Sequence, residues 1–278
     1  MTTYTAIIAA AGKSTRTTGE GAAQPKQFAP INGKAVLWHA VQPFLHHSAI
    51  AQVRIVVDGL EAAKAASRMF DDKRVMIING GGETRAATVI NGIARIAADV
   101  PVVIHDAARP CLTDDSLEAL LAAAGEREHG GLLAVPVGDA MKRSFAGKVN
   151  KTLSRNNKWR AQTPQVFRAG LLLPALKAHP NAMDDSAAME KAGFYPLIVR
   201  GRADNIKITD MADLQLAGVI LSARLTEGDK KPAATMEKPA AAKAKPAEIK
   251  KPAAKAKPAA AKKPAAAKKP AAKKPAKR

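Results

Sequence analysis

The chain alternates short β-branched runs with longer helical patterns, and this alternation constrains its fold more than any other feature. Strands buried on both faces are predicted at residues 5–9, 53–57, 74–78 and 100–104. Helices are predicted between them, at residues 35–45, 60–70 and 84–97. Such an alternation is typical of an α/β fold with a mostly parallel sheet and helices on both faces. Because ligands of these sheets gather at the carboxyl ends of the strands, we expect the functional residues there.

The chain beyond residue 130 continues the mixture of strands and helices. Strands are predicted at 132–137 and 195–199, and helices at 169–178, 184–192 and 211–225. The stretch between residues 138 and 160 is polar and holds too few apolar residues to pack against a sheet. We therefore expect one domain over residues 1–228, from which an arm over about 138–160 protrudes.

The positive charge of the chain is concentrated at its end. Residues 229–278, the basic tail, hold 17 Lys and Arg against three acids, and so carry +14 of the formal net charge of +20. The basic tail repeats Lys-Pro-Ala units without an aromatic residue, a composition that predicts disorder. It predicts either a non-specific, salt-sensitive contact with a polyanion or a solubilising appendage.

Cysteine content and hydropathy restrict the cellular setting. Cys111 is the single cysteine, so no disulfide within the chain and no multi-cysteine metal site can form. No apolar run reaches the roughly 18 residues of a membrane span, and the first residues lack the basic segment of a signal peptide. We expect a cytoplasmic protein with no membrane partner.

The first predicted strand leads directly into a loop of small residues followed by cations. In such a loop, Ala10, Ala11 and Gly12 let backbone N–H groups approach phosphate oxygens, which indicates a nucleotide site. The Gly-Lys-Ser-Thr string is not a P-loop, since Ile7 stands where that motif needs a glycine. A dinucleotide-binding fingerprint is excluded as well, because the glycines that should follow Gly12 are missing.

Several short motifs together resemble one enzyme family. They are Ala10-Ala11-Gly12 with Arg16, Pro25-Lys26-Gln27, Gly81-Gly82 with Arg85, the run from His105 to Pro110, Thr163-Pro164-Gln165, and the run from Gly201 to Lys207. In this order, over about residues 5–225, they resemble the 2-C-methyl-D-erythritol 4-phosphate cytidylyltransferases of the non-mevalonate isoprenoid pathway. The resemblance implies a Rossmann-like fold of the nucleotidyltransferase type and the transfer of a cytidylyl group from CTP to methylerythritol phosphate.

The resemblance also implies roles for individual residues. Nucleotidyl transfer needs fixed cations near the α-phosphate, where negative charge accumulates, and Arg16 and Lys26 match the family's catalytic cations. The cofactor implied is Mg²⁺, held mainly by the CTP phosphates with Asp106 beside it. The sugar-alcohol phosphate is expected to contact Arg155, Lys207 and Thr163. The nucleotide is expected to contact Ala10, Ala11, Gly12, Gly81, Gly82, Thr88, Asp106 and Ala107.

Other polar residues of the motifs have structural interpretations. We interpret His105 as a packed strand residue, because the attacking phosphate oxygen needs no general base. Arg109 is expected to hold its loop together, and Lys13 is expected to be an ordinary surface cation. The acid pair Asp184-Asp185 is interpreted as a helix cap without a catalytic role.

Three features depart from the family pattern, and two other functions remain open. Ala140 stands where the family usually has a threonine that touches substrate, Ser14 replaces a glycine, and residues 17–24 form a longer segment than usual. The alternatives are a cytidylyltransferase for ribitol 5-phosphate and an inactive scaffold that binds polyanions through its tail. In the family the arm embraces a second subunit, which predicts a homodimer in which Arg155 serves the neighbouring active site.

Overall fold

A seven-stranded sheet lies at the centre of the part of the chain that the computed structural model describes, residues 2–12 and 25–228. The strands are β1 (Tyr4–Ala9), β2 (Pro30–Ile31), β3 (Lys34–Ala35), β4 (Ile50–Val57), β5 (Val75–Asn79), β6 (Pro101–Asp106), β7 (Gly131–Pro136), β8 (Met141–Phe145), β9 (Lys148–Leu153), β10 (Trp159–Arg168) and β11 (Leu197–Arg200). The helices are a 3-10 turn at Lys26–Phe28, α1 (Val36–His46), α2 (Leu60–Ser67), α3 (Arg85–Ile93), α4 (Asp114–Ala124), α5 (Ala169–Ala178), α6 (Asp185–Lys191) and α7 (Met211–Gly228).

The order of the strands brings the ends of β1 and β6 together. The sheet runs β11, β7, β10, β6, β1, β4, β5, and β1 is parallel to both of its neighbours. β10 runs antiparallel to β6 and β7, so the sheet is mostly parallel. Ala9 at the end of β1 is in register with Asp106 at the end of β6. The loops that follow these two strands therefore meet at one edge of the sheet.

Helices cover both faces of the sheet, because successive residues of each central strand point to opposite sides. Ile8 packs on the face covered by α1 and α4, where Phe44 and Leu117 are buried. Ile7 packs on the other face, which α3, α5 and α6 cover. A smaller cluster around Ile208 packs α7 against β2 and the start of α1. Among the described residues, no helix is long and apolar enough to cross a membrane.

The arm is a β-hairpin. β8 and β9 form a two-stranded sheet of their own, and the turn between them holds Ala146 and Gly147 at φ of 47° and 75°. Positive φ at both central residues is typical of the two-residue turns that match strand twist. Phe145 and Val149 of the hairpin are 79% and 67% exposed. The hairpin thus carries apolar side chains that its own chain does not cover.

The predicted fold class is confirmed, and the differences concern individual elements. The basic tail lies outside the described residues. β5 was expected to be buried on both faces, but it is an edge strand and only partly buried. The sequence analysis assigned no element to β10, whose polar residues and Pro164 are atypical of a central strand. It also missed α4, although Thr113 as N-cap and the buried Leu117, Leu120 and Leu121 are ordinary helix signals.

Candidate active site

A cavity of about 610 Å³ opens at the carboxyl ends of β1 and β6. It lies where the fold predicts a ligand site. Of the residues singled out by sequence, it is lined by Ala10, Ala11, Gly12, Lys26, Gly82, Thr88, Asp106, Ala107 and Lys207. Its lining is completed by Ala9, Gln27, Glu83, Thr84, Arg85, Ala108 and Thr209.

Some of the predicted site residues do not line this cavity. Gly81 and Thr163 lie behind its wall, and Arg155 lies on the arm. Arg16, together with Lys13 and Ser14, falls outside the described residues. The structure therefore assembles most of the predicted nucleotide site and leaves the predicted acceptor residues divided between the cavity and the arm.

Gln27 fixes the loop that follows β1. Its side-chain amide donates to the carbonyl oxygens of Ala10 at 2.8 Å and Gly12 at 3.2 Å, and the residue is 5% exposed. A buried glutamine that satisfies two loop carbonyls leaves the loop little freedom. The sequence analysis gave Gln27 no role, although a polar residue between Lys26 and Phe28 that is destined for burial was the available signal.

Lys26 connects the cavity to the segment that carries Lys207. Its ammonium group lies in the cavity wall and donates to the carbonyl oxygen of Ile208 at 2.7 Å. The Ile208 amide in turn donates to the carbonyl oxygen of Ala108 at 2.8 Å. Two cations, Lys26 and Lys207, are thereby brought to one cavity from positions 181 residues apart.

The glycines after β5 make room for close packing. A Cβ at Gly81 would lie 2.5 Å from that of Asp58, and one at Gly82 would lie 2.3 Å from that of Ala87. The Gly81 amide donates to the carbonyl oxygen of Val57, and the Gly82 amide donates to the Thr88 hydroxyl at 3.2 Å. Thr88 is 4% exposed and therefore shapes the glycine turn as well as the cavity wall.

Asp106 is the centre of an ion network in the cavity wall. Its Oδ1 accepts from Nε of Arg85 at 2.8 Å, and its Oδ2 accepts from Nζ of Lys207 at 2.7 Å. Burial alone would raise the pKa of the Asp106 carboxyl, but the charges of Arg85 and Lys207 outweigh it and hold that pKa below its ordinary value. Asp106 is therefore an anion that two cations hold in one orientation.

A second set of hydrogen bonds supports Asp106 from behind. The Asp106 amide donates to the Thr163 hydroxyl at 3.1 Å, and that hydroxyl lies 3.0 Å from Nδ1 of His105. Nε2 of His105 lies 3.1 Å from the carbonyl oxygen of Arg109, so Nε2 carries the proton. Burial lowers the pKa of His105 to about 4, which keeps the ring neutral at pH 7. The prediction that His105 is a packed strand residue is confirmed.

The arm holds Arg155 away from this cavity within one chain. Arg155 is exposed, and its guanidinium donates to the carbonyl oxygen of Gly138 at the base of the arm. Arg109 donates instead to the carbonyl oxygen of Asn205 at 2.8 Å, which confirms its predicted loop-holding role. Asp184 accepts from the Ala187 amide at 2.8 Å and caps α6 as predicted. Its neighbour Asp185 does not act as a cap, because both of its oxygens bind Arg85.

The described residues offer a divalent cation few protein ligands. Among them, no group of three or more His, Cys, Asp or Glu is placed to hold a metal ion. The acidic side chains in the cavity lining are Glu83 and Asp106. A cation bound here would therefore take most of its oxygen ligands from a phosphorylated substrate and water, as Mg²⁺ commonly does.

The chain is similar to curated proteins over nearly all of the domain. A family model described as 2-C-methyl-D-erythritol 4-phosphate cytidylyltransferase (IspD) matches residues 4–223. A protein of that name from Tolumonas auensis is 39% identical over 226 residues, which span 80% of this chain and 97% of that protein. One from Chromobacterium violaceum is 40% identical over 229 residues, which span 79% of this chain and 98% of that protein.

Solved structures show the same fold. A crystal structure of a 4-diphosphocytidyl-2C-methyl-D-erythritol synthase superposes with a TM-score of 0.69 at 36% identity, covering 80% of this chain and 99% of the other. The Francisella tularensis 2-C-methyl-D-erythritol 4-phosphate cytidylyltransferase superposes with a TM-score of 0.67 at 30% identity, covering 79% and 100%. The family match includes all the described segments that line the cavity and ends before the basic tail.

Proposed function

Because this chain belongs to the 2-C-methyl-D-erythritol 4-phosphate cytidylyltransferase family, we propose that the cavity at the ends of β1 and β6 is the site of that reaction. The enzyme transfers the cytidylyl group of CTP to 2-C-methyl-D-erythritol 4-phosphate and releases pyrophosphate, a step of isoprenoid precursor synthesis. The observation that carries the placement is the meeting of Lys26, Asp106 and Lys207 around one cavity beside the loop after β1.

The reaction is an in-line displacement at phosphorus. A phosphate oxygen of the acceptor forms a bond to the α-phosphorus of CTP, the bond from that phosphorus to the bridging oxygen breaks, and pyrophosphate leaves with the electron pair. Negative charge builds on the phosphoryl oxygens, so the protein contributes mainly positioning and positive charge. Lys26 supplies that charge from the cavity wall, and Arg16 is its partner by sequence.

The nucleotide occupies the part of the cavity formed by the loop after β1 and the glycine turn. Ala11 and Gly12 present backbone to the triphosphate with no bulky side chain between them. The Gly82 turn and Thr88 border the cytidine. Gln27 serves this arrangement indirectly, because it holds the carbonyl groups of Ala10 and Gly12 turned inward.

The cofactor we propose is Mg²⁺, with Asp106 as its protein ligand. Mg²⁺ would neutralise triphosphate charge, and a single carboxylate with phosphate oxygens and water is an ordinary ligand set for it. Calorimetric titration of CTP without acceptor tests this: replacing Mg²⁺ by EDTA should weaken binding at least tenfold. In Asp106→Asn the difference between the two conditions should shrink. Equal affinities for the unaltered enzyme in Mg²⁺ and EDTA would refute the assignment.

The acceptor phosphate is clamped by Lys207 from its own chain and Arg155 from a second copy. Arg155 does not line the cavity of its own chain and sits on an arm whose Phe145 and Val149 are exposed. A two-fold dimer would cover these apolar side chains and bring the arm of each protomer to its partner's cavity. Thr163 supports this site through the Asp106 amide rather than from the cavity surface.

We place the enzyme in the cytoplasm and assign its basic tail a non-specific contact with polyanions. The charge of +14 over residues 229–278, without aromatic residues, suits electrostatic attachment rather than recognition of a base sequence.

Deleting residues 229–278 should leave kcat and the melting temperature nearly unchanged, because the family match and the cavity lie within residues 4–223. Retention on a heparin column should fall with the deletion, and retention of the full chain should fall with salt. A large loss of activity or stability would show that the tail supports the domain. Equal heparin retention of both chains would place the basic surface on the domain.

A further inference from the structure

The guanidinium of Arg85 is divided between two carboxylates. Its Nη1 and Nη2 donate to Oδ1 and Oδ2 of Asp185, both at 2.9 Å, in a two-pronged contact. Its Nε donates to Oδ1 of Asp106 at 2.8 Å. Arg85 therefore reaches only one oxygen of Asp106 in the described contacts, and the other oxygen is the one that binds Lys207 at 2.7 Å.

Asp185 is held rigidly in the interior. It is 0% exposed and begins α6, beside the cap that Asp184 forms. Gln165 of β10 accepts from the Ser186 amide at 2.8 Å and donates to Asp184 at 3.1 Å, so the start of α6 is fixed to the sheet. Asp185 does not line the cavity. Any influence that it has on the reaction must pass through Arg85.

We propose that Asp185 is a positioning residue for cytidylyl transfer: by occupying both Nη atoms of Arg85, it limits Arg85 to one oxygen of Asp106 and reserves the other for Lys207. The inference rests on the proposed function of the cavity. Arginine favours paired hydrogen bonds to a carboxylate. Without the charge of Asp185, Arg85 is free to turn both of its prongs onto Asp106 and displace Lys207 from its position at the acceptor phosphate.

Replacing Asp185 by asparagine tests this with almost no change of volume. We expect kcat to fall at least tenfold with the KM for CTP within threefold, because a displacement of about 1 Å in a positioning group can cost up to a hundredfold in rate. Asp184→Asn is the matched control, since it removes the same charge from the adjacent residue of the same helix while asparagine still caps. Its kcat should stay within twofold.

A crystal structure of the Asp185→Asn protein separates this inference from the proposed function, because the geometry is measured without turnover. We expect Arg85 to donate to both oxygens of Asp106 and Lys207 to have moved away. If Arg85 still contacts Asp106 through Nε alone, with Lys207 in place, the inference is wrong even if the enzyme is active. If the geometry changes as expected and no cytidylyl transfer occurs in the unaltered enzyme, the proposed function is wrong instead.

A double-variant comparison covers the case in which Asp185→Asn alone does not fold. Arg85→Gln combined with Asp185→Asn removes both charges and leaves neither unpaired in the interior. If Asp185 acts through Arg85, the double variant should have the same kcat as Arg85→Gln within twofold. A further tenfold loss in the double variant would show that Asp185 acts by another route.

Discussion

Replacing Lys26 by alanine is expected to lower kcat a hundredfold or more while the protein stays folded. The loss of one cation that stabilises the charge of a transition state costs about 3 kcal/mol or more. The structural cost is smaller, because the substitution removes one described hydrogen bond, to the Ile208 carbonyl, worth about 1 kcal/mol. Single-turnover rates and melting temperatures of the variant and the unaltered enzyme give both quantities.

Lys73→Ala is the control for this experiment, since Lys73 is exposed and does not line the cavity. Its kcat should match that of the unaltered enzyme. Arg16→Ala should resemble Lys26→Ala if the sequence prediction for Arg16 is right. An unchanged turnover number in Lys26→Ala would remove Lys26 from the reaction.

Mixing two nearly inactive variants should restore activity, which is the second large effect that we expect. Lys26→Ala damages the cavity of its own chain, whereas Arg155→Ala damages the cavity of the neighbour. After unfolding and refolding together, half of the dimers are mixed, and each mixed dimer has one intact site and one doubly damaged site. Random pairing should therefore restore about a quarter of the sites of the unaltered enzyme.

The recovery is diagnostic because the alternative gives none. If Arg155 served its own chain, every site of a mixed dimer would keep one damaged residue. Refolding Lys26→Ala with itself is the control and should give no gain. No recovery despite confirmed subunit exchange would mean that Arg155 acts in its own chain or not at all.

The sequence predicted the parts of the fold that depend on local pattern. The opposite burial of Ile7 and Ile8 follows from strand geometry, and the position of the small-residue loop after β1 follows from the parallel order. β10 could not be found in this way, because its place between β6 and β7 is set by pairing partners distant in sequence. Its Pro164 argued against a central strand.

The candidate site divides along the same line. Residues in recognisable motifs, such as Lys26, Gly82 and Asp106, were predicted and lie around one cavity. The bridge between Arg85 and Asp185 was not predicted, because it joins residues 100 positions apart and leaves no periodic signal. The acid pair that contains Asp185 fits a helix cap equally well from sequence, and only Asp184 acts as one.

A pyrophosphate-release assay with Mg²⁺ tests the central claim most directly. Each of CTP, ATP, GTP and UTP is offered with either 2-C-methyl-D-erythritol 4-phosphate or ribitol 5-phosphate, and the product is identified by mass. We expect rapid release only with CTP and methylerythritol phosphate, together with 4-diphosphocytidyl-2-C-methyl-D-erythritol in equal amount. Equal or faster turnover with ribitol 5-phosphate, or no release with any pair, would contradict the account.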